Sequence, residues 1–135
     1  MLYLALQPKG ELVSAKELTK HLSIPYHFLA KILQTLSRKG LLVSSRGPTG
    51  GFMLSMPPRD ITLFHIIEAI DGIDFTNKCV LGYRRCSANS PCATHDEWAS
   101  VREAIYQMLI SKNIETLAEA ARECQSVQCV TQALA

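Results

Sequence analysis

No uninterrupted apolar run in this 135-residue chain approaches the about 20 residues that a helix needs to cross a bilayer, so a helical membrane protein is excluded. The opening stretch, Met1-Leu2-Tyr3-Leu4-Ala5-Leu6-Gln7-Pro8, lacks a charged leader region and a small-residue cleavage site. No secretory signal is expected there, and the protein is expected in the cytoplasm. Glycine and proline are scarce, at seven and six, which leaves no room for a collagen-like repeat. An acidic excess is missing as well: 47% of residues are hydrophobic, 19% are charged and the net charge is +2, so a disordered acidic chain is excluded. Five cysteines are an odd number and too few for a disulfide-dense mini-protein. In a reducing compartment they point to metal or redox chemistry, or to inert core thiols. There is no Ser/His/Asp array and no metal-protease motif, and Gly47–Gly51 does not lead from a strand into a helix as a phosphate-binding loop would. The chain does not read as an enzyme.

What is present is unevenly spread along a chain sized for one compact domain, or a small module with an appendage. Residues 1–59 hold eight Lys/Arg against two acids, a net +6, whereas residues 60–135 hold six basic residues against ten acidic ones, a net −4. The small overall charge is therefore a cancellation between a half suited to nucleic acid and a half suited to something else. The expected division is a DNA-binding half at 1–59, followed over 60–135 by a linker helix, a loop at 73–93, a long helix at 94–111 and a C-terminal helix.

Within the basic half, Ser14-Ala15-Lys16-Glu17 has the capping-box pattern and predicts a helix running to about His21. Ser23-Ile24-Pro25 breaks it, because the proline disfavours helical geometry at Ile24 and can open the next helix. From Pro25 to Lys39, Phe28, Leu29, Ile32, Leu33 and Leu36 fall on one face and are expected in the core. His27, Lys31, Gln34, Thr35 and Arg38 fall on the opposite face. Gly40 is placed as the C-terminal cap. Two short strands, Leu41–Ser45 and Phe52–Met56, flank a turn over Arg46-Gly47-Pro48-Thr49-Gly50-Gly51, with Arg46 at its mouth. A helix-turn-helix followed by such a hairpin is a winged-helix pattern, in which the second helix enters the major groove and the wing reaches the neighbouring minor groove or its phosphates. The candidate DNA-facing residues are Ser14, Tyr26, His27, Lys31, Gln34, Thr35, Arg38, Arg46 and Gly47.

Ser44-Ser45-Arg46-Gly47-Pro48-Thr49-Gly50-Gly51-Phe52, following Leu36-Ser37-Arg38-Lys39-Gly40-Leu41, resembles the wing signature of the IscR/NsrR/CymR-type winged-helix regulators. The resemblance extends from about Leu2 to about Ala120. It implies a mostly α-helical, homodimeric bacterial transcription regulator in which His27, Lys31 and Arg46 meet double-stranded DNA.

In the acidic half, Thr62–Asp71 reads as a short amphipathic helix capped by Thr62 and stopped by Gly72. Its expected core stripe is Leu63, Ile66, Ile67 and Ile70, with His65 at the surface. Thr94-His95-Asp96-Glu97 is a second capping-box pattern, opening a helix to about Ser111. There Trp98, Val101, Ile105 and Met108 recur at seam spacing. That seam suits either the chain's own core or a second copy, and the resemblance selects the dimer interface. Thr116-Leu117-Ala118-Glu119 predicts a final short helix, with a frayed end from about Ser126.

The stretch from Ile73 to Pro91 has no sustained periodicity, and a structureless loop of that length needs another source of order. Cys79, Cys86 and Cys92 lie in it at C-x6-C-x5-C, with His95 just beyond at C-x2-H. Thiolate is the ligand that both iron–sulfur clusters and zinc select. Three cysteines and a histidine are also a common closed zinc set. The spacing comes near one RNA-binding zinc-finger class, although both outer intervals differ and the intervening aromatics are missing. Arg84 and Arg85 can offset the negative charge of a thiolate-ligated group. Cys92-Ala93-Thr94-His95-Asp96-Glu97-Trp98 resembles the cluster segment of IscR-type regulators, which implies a 2Fe–2S cluster on three cysteines and a histidine. NsrR-type relatives imply 4Fe–4S instead, with a carboxylate from the first helix of the other subunit. Those relatives begin upstream of the point where this chain starts, and their first cysteine interval is one residue shorter. Cys124 and Cys129 read as free thiols.

The expected function is a dimeric, DNA-binding repressor of a pseudo-palindromic operator. It would sense iron–sulfur status, redox stress or nitric oxide through a cluster on Cys79, Cys86, Cys92 and His95. The alternatives are a zinc-stabilised nucleic-acid-binding module without sensing, and a redox or electron-transfer iron–sulfur protein.

Overall fold

The computed structural model describes residues 1–73, 78–83, 89 and 91–123. Among these, a short helix α1 (Leu2–Ala5) precedes the pair α2 (Ala15–Leu22) and α3 (Tyr26–Arg38). The hairpin β1 (Leu42–Ser45) and β2 (Gly51–Leu54) follows, then a 3-10 turn at Pro58–Asp60 and helices α4 (Leu63–Ile70), α5 (His95–Ser111) and α6 (Ile114–Glu123). The result is a mostly helical winged helix-turn-helix with a cysteine-bearing segment and a long helix after it. No described helix is long and apolar enough to cross a membrane.

Local signals set the first helices. The Ser14 hydroxyl accepts the Glu17 amide at 3.1 Å, satisfying one of the otherwise unpaired donors at the start of α2. The Glu17 carboxylate turns away from the expected box and accepts the Tyr3 hydroxyl at 3.2 Å, tying α2 to α1. Ser23 ends α2 in the left-handed region, at φ 54°, which turns the chain sharply into Pro25 at the N-cap of α3. At the other end of α3, Gly40 takes φ 79°. Its amide donates to the Ser37 carbonyl at 3.1 Å and the Leu41 amide to the Leu36 carbonyl at 2.9 Å, the paired bonds of a glycine-terminated helix.

The core stripe of α3 is narrower than its apolar pattern suggests. Leu29, Leu33 and Leu36 are buried and Ile32 is half-buried, but Phe28 is 60% exposed. The hairpin pairs Leu42 with Leu54 and Ser45 with Gly51, so β2 begins at Gly51 and ends before Ser55 and Met56. Val13 adds a third partner to the sheet: its amide donates to the Phe52 carbonyl at 3.0 Å and its carbonyl accepts the Phe52 amide at 2.8 Å. Glycine at 51 is required there, because a Cβ would lie 2.5 Å from the Val13 carbonyl oxygen.

Among the described residues Ile61, Ile114 and Val13 are the largest fully buried side chains, and they share one core with Leu4, Leu18, Leu29, Leu33, Leu36, Leu41, Leu42 and Ala69. Two short backbone segments meet at this core. The Ile114 amide donates to the Ile61 carbonyl at 2.8 Å and the Leu63 amide to the Lys112 carbonyl at 2.9 Å, around a bridge between Thr62 and Asn113.

The start of α4 keeps its expected cap, whereas those of α5 and α6 differ from their sequence patterns. At α4, Thr62 forms a capping box with His65, whose Nδ1 accepts the Thr62 amide at 3.1 Å. Of the expected α4 stripe, Ile66 packs on the core while Ile70 is 43% exposed, and the buried residue is Ala69. At α5, Thr94 makes no capping bond, because at φ −116° and ψ 20° it is outside the extended geometry that an N-cap side chain needs. The last helix opens at Ile114 rather than near Thr116, since Asn113 Oδ1 accepts the Thr116 amide at 2.9 Å. Asn113→Ala is expected to cost about 1 kcal/mol, read as a lowered urea midpoint. An unchanged midpoint would show that Asn113 is not the cap that matters.

Candidate nucleic-acid interface and metal centre

The outward stripe of α3 carries His27, Lys31, Gln34 and Arg38 at spacings of three and four residues, and all four are exposed. Tyr26, 47% exposed, sets its ring edge-on to His27 with centroids 5.8 Å apart. Thr35 is half-buried and accepts the Arg38 guanidinium at 3.2 Å. Ser14 is half-buried, and its hydroxyl caps α2.

The wing projects Arg46 and Gly47, both exposed. Its turn is tight: Gly47 has φ 114°, and a Cβ at Gly50 would collide with the Ser45 carbonyl oxygen. The hydroxyls of Ser37 and Ser44, 3.4 Å apart, tie the last turn of α3 to β1. The wing is thereby held in a set position beside the outer stripe of α3.

The second cluster lies at the N-terminal end of α5. Cys79 is buried at 7% exposure and Cys92 is half-buried, and their sulfurs are 3.7 Å apart with both thiols free. Two sulfurs bonded at about 2.3 Å to one tetrahedral metal would be about 3.8 Å apart, so the pair fits a shared metal centre. The Thr94 backbone amide, then the Thr94 hydroxyl, hydrogen-bonds the Cys92 sulfur and holds its thiol below the ordinary cysteine range. The Trp98 indole N–H donates to the Lys78 carbonyl at 2.9 Å, which fastens the residue before Cys79 to the first turns of α5. The His95 amide donates to the Cys92 carbonyl at 3.1 Å, and the imidazole is half-buried.

Among the described residues no three of His, Cys, Asp and Glu are grouped as a metal cage. Cys86, with Arg84 and Arg85, lies outside the described residues, as do Cys124, Cys129 and the stretch from Ser126.

Helix α5 packs through Leu109, which is buried, and Tyr106, whose ring meets Phe64 edge-on at 5.3 Å. Of the four seam residues, Val101 and Met108 are 48% and 50% exposed, while Trp98 and Ile105 are half-buried. Sequence reasoning missed the sheet role of Val13, the capping role of His65 and the acceptor role of the Lys78 carbonyl. Each depends on a partner that periodicity does not reveal. The exposure of Phe28 had no separate signal either.

The sequence profile of the Rrf2 family, described as an iron-dependent transcriptional regulator, matches residues 1–120. An HTH-type transcriptional regulator of Aquifex aeolicus is 36% identical over 117 residues, spanning 85% of this chain and 81% of its own length. The structure of CymR, the global cysteine regulator of B. subtilis, matches with a TM-score of 0.75 at 26% identity, covering 88% of this chain and 87% of that one. The structure of T. potens IscR matches with a TM-score of 0.74 at 25% identity, covering 93% of this chain and 82% of that one.

Proposed function

The chain belongs to the Rrf2 family of transcriptional regulators, which are DNA-binding proteins and not enzymes; from that premise we propose a homodimeric regulator, acting as a repressor, whose operator affinity depends on an iron–sulfur cluster at Cys79, Cys86, Cys92 and His95. The observation that carries the proposal is the 3.7 Å separation of two unbridged thiols at the start of α5. The iron-dependent description of the family and the likeness to T. potens IscR favour iron over zinc for those thiolates.

The outer stripe of α3 lies in the major groove, with Lys31 and Arg38 on phosphates and His27 and Gln34 toward base edges. Arg46 on the wing reaches the adjacent minor groove or its phosphates. The exposed Val101 and Met108, continued by Ile105 and Trp98, meet their counterparts in a second copy, so that two reading heads face two half-sites of a pseudo-palindromic operator. Cys79, Cys86, Cys92 and His95 would hold the cluster, which would supply a redox-labile centre responsive to iron–sulfur supply, oxidants or nitric oxide. Cys92 and His95 flank the N-cap of α5, and Trp98 holds Lys78 beside Cys79, so a change at the thiols is delivered to the dimer helix.

Anaerobic purification tests this reading. The expected product is brown and contains iron and acid-labile sulfide, whereas Cys92→Ser should lose the visible absorption together with the iron. A colourless protein with one zinc per chain would overturn the iron–sulfur assignment in favour of a structural zinc site.

A further inference from the structure

Phe28 is the most exposed large apolar side chain of α3, and it is not a surface residue at random. It is the third residue of that helix, one turn before Lys31 and Ile32, on the rim where the polar stripe meets the core stripe. His27 precedes it on the same exposed turn, and Tyr26 packs edge-on against His27. First-turn residues of a recognition helix are the ones that face base edges. The major groove offers one apolar landmark to such a side chain, the C5-methyl group of thymine. We propose that Phe28 reads a thymine methyl in the operator, next to the base edge that His27 faces. The proposal rests on α3 being the DNA-reading helix and adds the chemical identity of a base it selects. A phenylalanine left out of the core by the fold acquires a buried partner only when the protein is on DNA, so its apolar contact contributes to affinity for the right sequence alone.

The anaerobically purified protein is used to select a binding site from a random-sequence duplex library. Each thymine of the selected site is then replaced singly by deoxyuridine, which removes only the methyl group. Affinity is read by fluorescence anisotropy for the unaltered protein and for Phe28→Ala, with thermal melting and sedimentation run on both. The expected result is one thymine per half-site at which deoxyuridine weakens the unaltered protein about fourfold, the equivalent of one apolar carbon no longer buried. Phe28→Ala should bind thymine and uracil versions alike at that position. The uridine series on the unaltered protein does not depend on any variant folding. Indifference to uracil at every position overturns the proposal, as does a Phe28→Ala variant that still distinguishes the two bases. Dissociation of Phe28→Ala into monomers would instead assign the ring to the contact between copies. If no sequence is enriched at all, the DNA reading of α3 fails first and Phe28 falls with it.

Discussion

Ile114→Ala is expected to lower the free energy of unfolding by about 2–5 kcal/mol, a large share of the about 5–15 kcal/mol available to a domain of this kind. The size follows from position. Ile114 is 1% exposed, opens α6, and belongs to the same core cluster as the fully buried Ile61 and side chains from α1, α2, α3 and β1. Its amide also bonds the Ile61 carbonyl at 2.8 Å, so the surrounding backbone is held and closes poorly over a cavity. The measurement is a urea titration, with a lowered midpoint at unchanged slope. Ile61→Ala should cost a similar amount, and the double variant less than the sum, because both truncations open the same space. A loss under about 1 kcal/mol would show that the start of α6 can relax independently of the core.

Neutralising Lys31, Arg38 and Arg46 together should weaken operator binding on the order of a thousandfold per half-site at about 50 mM salt. The slope of log affinity against log salt should become shallower by about 5.4 for the dimer, since each of six phosphate contacts, three per protomer, contributes about 0.9. All three side chains are exposed, two on one stripe of α3 and one on the wing, and the core does not use them. The same thermal melt for the variant and the parent would separate a binding loss from a folding loss. An unchanged salt slope would remove these three residues from the phosphate-contacting set and reassign the basic charge of residues 1–59 to solubility.

The helix-turn-helix and its hairpin were legible in the sequence because their signals are local. A serine hydroxyl reaches an amide three residues on, a proline halts one helix and opens another, and a glycine at φ 79° closes α3. None of these needs distant information. The misreadings share the opposite property. Phe28 was grouped with the core because periodicity records what is apolar and not what will cover it. Thr94 and Thr116 match the capping pattern by residue type, but Asn113 is held by its bridge to Thr62 and starts α6 earlier. Thr94 has a backbone conformation that aims its hydroxyl at the Cys92 sulfur, 3.7 Å away. His65 was read as a surface residue, and exposure and a capping role proved compatible. The cysteine spacing pointed to a ligand set, yet only folding brings Cys79 and Cys92, thirteen residues apart, to adjacent sulfurs.

The paired segments around Thr62 and Asn113 also bear on how such a chain can change over generations. Leu63 and Lys112 are hydrogen-bonded to each other, so the stretch of chain that carries α4 and α5 starts and ends at one place on the core. Within it α4 stays on the core through Ile66 and Ala69, and α5 meets α4 where Tyr106 lies edge-on to Phe64. Residues gained or lost between α4 and α5 need not shift the register of the helix-turn-helix, and doubling the length of a flexible loop costs only about 0.6 kcal/mol. Such an architecture absorbs changes of length between the two helices while the frame of α2, α3 and the hairpin stays put.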